Sequence, residues 1–418
     1  LFNENVNAFP FLRCDALKFV MLFRNHLPIE ELIQVISAIL ATLSSSHIIL
    51  HQYAAVALER ILLVRLKNTD KLLFNCDNVV VGPLISSLFN CFSIYPKAQN
   101  SHYLMKAVMR CFNIIDNESA KHSNEIIDRM TNMIATAVKT PVDPLHIHYV
   151  FESLCILIRR AYLIVDGGID KYVIPLIENI LANDVIEFTP YSLQLTAVLL
   201  DEAYEQKKKT GTSLIDSYLP FFNYLMKEDL WNRTANIPAA LLVIESFLQC
   251  SSENILANHS SMIQAIYQKL MGSKAQDHFG FQLAISLVPK VAVKSNIQVL
   301  ESIQSGMFKM VIEKVITVEL NEMSRILRFE EKRICCIGLI NLTVETADYL
   351  GEYYAVMVEG LVKIAETSVY DASGIEDQCD EHELIEAYND RYCKLVYAQH
   401  KFTLAVEIQN FKGYLHFS

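Results

Sequence analysis

The feature that most limits what this chain can fold into is the spacing of its apolar residues, which recur at steps of three and four along its length. Between Pro28 and Leu43 the series Leu32, Val35, Ile36, Ile39, Leu40 and Leu43 lies on one stripe of a helix. A second stripe follows in Leu50, Ala54, Ala57, Leu58, Ile61 and Val64, after a Ser44-Ser45-Ser46 break whose hydroxyls suit a helix start. The pattern predicts helix pairs near 10–43, 47–95, 100–139, 144–182, 187–227, 236–271, 275–322, 328–367 and 381–400. Their spacing brackets the roughly 40 to 47 residues of HEAT or armadillo repeats.

Proline placement agrees with this reading. Pro10, Pro144, Pro190 and Pro238 fall at or just inside expected helix starts, where proline is tolerated. Pro175 and Pro289 fall inside expected helices and predict kinks or misplaced ends. A single hairpin cannot bury enough apolar surface to offset the ordering of its backbone, so the units must stack. The expected fold class is all-α, a right-handed superhelical solenoid of HEAT type: about nine hairpins over residues 1–400 and a divergent tail over 401–418.

With 52% hydrophobic residues but 12 Gly and 11 Pro in 418, the chain is helix-rich with short turns. Its ten cysteines include no C-x-x-C pair, which points to reduced thiols in a cytosolic or nuclear compartment. The longest uncharged runs, Leu32–Leu50 and Asn78–Pro96, carry polar residues unsuited to lipid, so no membrane insertion is expected. The start at Leu1, without a leader, suggests that the sequence begins inside a longer protein.

Net charge is −11, with a concentrated acidic stretch from Asp371 to Glu386. Such a balance repels phosphate backbones and attracts basic proteins, so nucleic acid is not an expected ligand. The stretch reads equally well as a solvated loop.

Chemistry finds little support. G-x-x-x-x-G-K-[ST], G-x-G-x-x-G, G-x-S-x-G and H-E-x-x-H are all absent, so no enzyme activity and no cofactor are expected. His146 and His148 lack further ligands at suitable spacing, and Cys379 with His382 has ligand spacing on one side only; a structural role outweighs metal binding at both places. Cys335 and Cys336 read as core residues.

Seven segments are more individual than a generic repeat: NAFPFLRCDALKFVMLFRNHLP at 7–28, HQYAAVALERIL at 51–62, YLMKAVMR at 103–110, HYVFESLCILIR at 148–159, LWNRTANIPA at 230–239, KAQDHFGFQL at 274–283 and GMFKMVIEKVI at 306–316. In these residues, in order from about 7 to 400, the chain resembles the C-terminal half of an exportin of the karyopherin-β family. The resemblance implies a HEAT superhelix that binds importin-α cooperatively with Ran-GTP and returns importin-α from nucleus to cytoplasm. It implies a shuttling receptor that meets the FG-repeat proteins of the nuclear pore and performs no catalysis. Between KAQDHFGFQL and GMFKMVIEKVI the sequence is shorter than the family pattern by about one repeat.

Candidate partner-facing residues are Trp231, Asn232, Arg233 and Asn236 at a turn-like repeat start, Asp277 and His278, and the acidic residues Glu376, Asp377, Asp380, Glu381, Glu383 and Glu386. Tryptophan and arginine concentrate energy at interfaces, but arginine and asparagine also form hydrogen-bonded ladders between repeats. Glu59 and Arg60 read as a solvated helix face. A second class of function is a HEAT scaffold without Ran gating; a third, an enzyme around Cys379 and His382, requires bound metal.

Overall fold

The structure, a computed structural model, describes residues 5–67, 69, 71–121, 123–140, 143–165, 168–211, 215–271, 296–310, 312, parts of 339–351, 353–370 and 394–398. Among these the architecture is helical, with one isolated antiparallel bridge between Arg65 and Leu72. The chain divides into two compact units: residues 1–195 with 381–389 and 393–398, and residues 196–380 with 390–392 and 399–418.

Unit 1 is built from α1 (Pro10–Phe23), α2 (Ile29–Thr42), α3 (Ile48–Leu62), α4 (Gly82–Ile94), α5 (His102–Asn113), the short α6 (Asn117–Lys121), α7 (Asn124–Ala137), α8 (Pro144–Ala161), α9 (Asp170–Ala182) and the start of α10 (Thr189–Thr210). α1, α3, α5 and α8 pack in succession into a first row. Tyr191 on α10 continues it, its ring stacked on Phe151 of α8 at 4.6 Å. α2, α4, α7 and α9 form a second row, in which Arg129 of α7 donates to Ser93 Oγ of α4 at 2.7 Å and lies over the Phe89 ring.

The packing pairs α2 with α3, α4 with α5 and α7 with α8. That is one helix out of phase with the pairs read from the sequence, which began each pair on a first-row helix. Apolar spacing specifies a stripe and not which neighbour covers it, so the phase of a hairpin is decided only by packing.

The local reasons for these helices are visible in their termini. Pro10, Pro144, Pro190 and Pro238 all sit in first turns, where no helical N–H bond is lost. Glu30 and Glu31 in the first turn of α2 face its positive end, and Asp143 caps α8 by accepting from Leu145 N at 3.2 Å. Burial works against the Asp143 charge. The hydrogen bond from His102 Nδ1 at 2.7 Å and that from Leu145 outweigh it and leave the carboxyl below its ordinary pKa. The serine break plays a different part from the one expected, since α3 starts after His47 without a side-chain cap. Ser45 and Ser46 hydroxyls instead donate to Asn7 Oδ1 at 2.8 and 3.1 Å.

α8 occupies the centre of unit 1, and nearly every side chain from Leu145 to Ile158 is buried. Pro175 lies inside α9. Pro289 falls outside the described residues.

In unit 2 the remainder of α10 packs against α13 (Ile237–Asn258). Ser246 Oγ donates to Asp201 Oδ1 at 3.1 Å and Cys250 Sγ to the Leu200 carbonyl at 3.5 Å. Phe222 of α11 (Leu219–Tyr224) meets Phe247 edge-on at 5.1 Å. The kink in α13 is at Ser251, whose φ of −157° and ψ of 47° leave the helical region, so it arises at a polar residue and not at a proline. The unit also contains a 3₁₀ turn at Ile215–Tyr218, α12 (Glu228–Trp231), α14 (Ser260–Met271) and helices at Asn296–Ile303, Met307–Met310 and Tyr353–Tyr370.

Candidate functional site

The cluster read at 230–239 separates into two groups. Trp231 is 2% exposed and its Nε1 donates to the Leu225 carbonyl at 2.6 Å. Asn236 is equally buried, its Nδ2 donating to the Leu230 carbonyl at 3.1 Å. These two tie down the turn between α11 and α13, while Asn232 is exposed and Arg233 half-buried. Asp277, His278, Glu376, Asp377, Asp380, Glu381, Glu383 and Glu386 lie outside the described residues, as do Cys335, Cys336, Cys379 and His382.

His146 and His148 are core residues. His146 Nδ1 meets the Ser101 carbonyl at 3.4 Å, and His148 Nδ1 shares a hydrogen bond with Tyr191 Oη at 3.1 Å. Burial lowers both imidazoles, to about 4 for His146 and about 3 for His148, so each is neutral at physiological pH. Among the described residues no group of three or more His, Cys, Asp or Glu is placed to hold a metal ion.

What the sequence reading missed is a line of charged and amide side chains on the first row. Glu59 is not a solvated residue: it is 3% exposed and accepts from Arg110 Nε at 3.4 Å, joining α3 to α5 through a buried ion pair. Further along, α5, α8 and α10 together hold residues 395–398, which form a single 3₁₀ turn over Val396–Ala398. Glu152 accepts from Val396 N at 2.6 Å and from Tyr397 N at 3.1 Å. Gln194 Oε1 accepts from Leu395 N at 2.7 Å, and Arg159 donates to the carbonyls of Tyr397 at 2.8 Å and Ala398 at 3.2 Å. The Tyr397 hydroxyl accepts from Arg110 at 3.2 Å and from Asn113 at 2.5 Å.

The electrostatics follow from this arrangement. Burial pushes the Glu152 carboxyl up to about 7, and the two N–H bonds with the Arg110 and Lys394 charges pull it part of the way back. Glu152 and Arg159 are seven residues apart on α8, about 10 Å along its axis, so both face one side of the helix. The carboxylate sits at the N-terminal end of the 3₁₀ turn and the guanidinium at its C-terminal end, the signs that unpaired turn N–H and C=O groups favour. A charged residue inside the apolar run HYVFESLCILIR was the available signal, since burying one requires a partner.

On the second row a cleft of about 350 Å³ opens between α4 and α7, lined by Phe92, Ser93, Arg129, Met133 and His146 among others. No helix among the described residues is long and apolar enough to cross a membrane.

Comparison with known proteins places this geometry in a family. The model for CAS/CSE protein, C-terminus, matches residues 59–296 and 287–417, and the Cse1 model matches residues 1–58. The two CAS/CSE stretches meet in the region that reads as one repeat short, and the second runs through the tail to residue 417. Exportin-2 of Homo sapiens is 28% identical over 96% of the chain and 46% of its own length, and exportin-2 of Pagrus major gives the same figures. Exportin-2 of Xenopus laevis is 30% identical over 82% of the chain and 39% of its own length. The chain thus spans about half the length of the curated relatives it matches. With family models covering it from residue 1 to residue 417 and stacked helical hairpins of HEAT type in its structure, this chain belongs to the CAS/CSE family of exportins.

Proposed function

We propose that this chain is part of a nuclear export receptor that binds importin-α cooperatively with Ran-GTP and returns it from nucleus to cytoplasm. The observation that carries the reading is the similarity to exportin-2 along 96% of the chain. Two further features support it. The net charge of −11 suits a basic protein cargo, and the first row of helices offers an extended face. Shuttling requires passage through the pore, and the cleft between α4 and α7, with Phe92 and Met133 in its wall, suits a phenylalanine from an FG-repeat protein.

Of the candidate residues, exposed Asn232 and half-buried Arg233 are the ones at the turn that can reach a partner directly. Asp277, His278 and the acidic residues from Glu376 to Glu386 complete the proposed contact set. A chain that spans about half of a receptor gripping its cargo along its length loses a multivalent advantage of about 10² to 10⁴, so its own affinity is expected to be weak.

A titration of importin-α against the chain, with Ran carrying either GDP or a non-hydrolysable GTP analogue, tests the reading. Affinity for importin-α is expected to rise with the GTP form. Equal binding in both nucleotide states favours the alternative, a HEAT scaffold without Ran gating; because the chain alone is expected to bind weakly, the same titration with the full-length protein decides, and binding in neither state there refutes the export reading.

A further inference from the structure

Five main-chain groups of the four residues Leu395–Ala398 end on side chains of α8 and α10: three N–H groups on Gln194 and Glu152, and two carbonyls on Arg159. Leu395 and Ala398 are fully buried, Tyr397 is fixed through its hydroxyl, and Val396 is 40% exposed. The arrangement reads a main-chain path, one aliphatic seat, one small seat and one hydroxyl, and leaves the second position unread. Such a combination of backbone bonds and spaced side-chain seats is how peptide-recognition surfaces work. The segment is a single 3₁₀ turn with Val396 40% exposed, whereas α8 beneath it is buried from Leu145 to Ile158, so the turn is the more readily opened of the two.

We propose that the face of α5, α8 and α10 that holds this turn is a peptide-binding site. This chain fills it with its own Leu395–Ala398, and that segment can exchange for another peptide carrying an aliphatic residue, any residue, tyrosine and a small residue in that order. Glu152 and Arg159 hold the two ends of the turn, Gln194 the preceding N–H, and Arg110 with Asn113 the tyrosine hydroxyl. The tethered copy competes at an effective concentration that a free peptide must match, so the intact chain is self-occupied.

The test uses the full chain with Leu395→Gly, Val396→Ser, Tyr397→Gly and Ala398→Ser together, and a labelled, end-blocked peptide of sequence Lys-Leu-Val-Tyr-Ala as probe. Fluorescence anisotropy is expected to show saturable binding at least about tenfold tighter than to the intact chain. Adding Arg159→Ala is expected to weaken that binding about tenfold or more, through loss of two charge-assisted bonds. Equal binding by intact and substituted chains, absence of binding to a substituted chain that melts cooperatively, or indifference to Arg159→Ala overturns the proposal. If the substituted chain does not fold, hydrogen exchange on the unmodified protein decides. The Val396 and Tyr397 amides are expected to exchange through an opening that leaves the α8 amides protected, and exchange of those two only together with α8 marks a permanent brace and overturns the proposal.

Discussion

Arg110 on α5 is the buried counter-charge of Glu59 on α3, with Nε 3.4 Å from Oε1 and both side chains out of solvent. The same guanidinium also donates to the Tyr397 hydroxyl at 3.2 Å, so one residue joins two neighbouring helices and the 395–398 turn. Removing Glu59 leaves a cation in the core without its carboxylate. Breaking a buried pair from one side costs about 3 to 5 kcal/mol, whereas replacing both members with apolar residues of similar volume is often neutral. Glu59→Ala is therefore expected to lower unfolding free energy by about 3 kcal/mol, and Glu59→Leu combined with Arg110→Met to recover part of that loss, the Tyr397 hydroxyl bond being lost with the guanidinium. Urea denaturation of both variants checks it; a Glu59→Ala cost below about 0.5 kcal/mol would show the pair to be solvated.

Trp231 is the single tryptophan, so its fluorescence reports on unit 2 alone. Because the indole is buried and donates to Leu225, its emission is expected to be blue-shifted in the native protein and to move to longer wavelength on unfolding. Trp231→Phe keeps most of the ring and leaves the Leu225 carbonyl short of a donor, for an expected cost of about 1 to 2 kcal/mol. Trp231→Ala also opens a cavity and is expected to cost about 3 to 5 kcal/mol. Equal costs for the two variants in thermal melts would contradict the assignment of the ring to the core.

Thiol reactivity separates the six described cysteines. Cys76 is exposed, whereas Cys14, Cys91, Cys111, Cys155 and Cys250 are buried. Burial further suppresses the reactive thiolate, pushing Cys91 up to about 11 and Cys111 up to about 12. Iodoacetamide labelling of the native protein, followed by peptide mapping, is expected to modify Cys76 well before the other five. Labelling of Cys111 at a comparable rate would mean that the α3–α5 seam opens readily.

The helices were legible because their signal is local. Leu32, Ile36, Ile39 and Leu43, and then Leu50, Ala54, Ala57, Leu58, Ile61 and Val64, are buried as their spacing requires, while Val35 and Leu40 at the edge of the first stripe are half-buried. Hairpin phase was not legible, since a stripe specifies burial without naming the neighbour. The 395–398 turn was not legible either: Glu152 and Val396 stand 244 residues apart, and no short-range pattern encodes such a contact. A partial signal existed in the charged residues set inside apolar helices, Glu59, Arg110 and Glu152. Surface reasoning gave Glu59 to solvent because a glutamate beside an arginine in sequence resembles an exposed pair. For Trp231 and Asn236 the sequence leaves a partner contact and a structural role both open; their indole and amide groups satisfy carbonyls at positions 225 and 230 of their own turn.

The buried histidines make stability depend on acid in a definite direction. His146 is 2% exposed, and desolvation holds its pKa at about 4, against an ordinary 6.5, with the Ser101 carbonyl and the Asp143 charge opposing that shift. The unfolded chain therefore binds more protons at this residue between pH 6.5 and 4, and the folded state loses stability as pH falls through that window. A displacement of this size corresponds to about 3 kcal/mol from one histidine. His148 acts in the same direction, and Glu152, raised to about 7, acts in the opposite one between its unfolded value of 4.5 and 7. Because the three overlap, the net slope of the wild-type protein does not isolate any one of them; a variant does. His146→Gln retains a donor for the Ser101 carbonyl and cannot titrate, so its loss of unfolding free energy between pH 7.5 and pH 4.5 is expected to be smaller than that of wild type by about 2 to 3 kcal/mol. Urea titrations at the two pH values measure this difference directly. Parallel losses in the two proteins would place His146 in contact with solvent protons in the native state and remove it from the core.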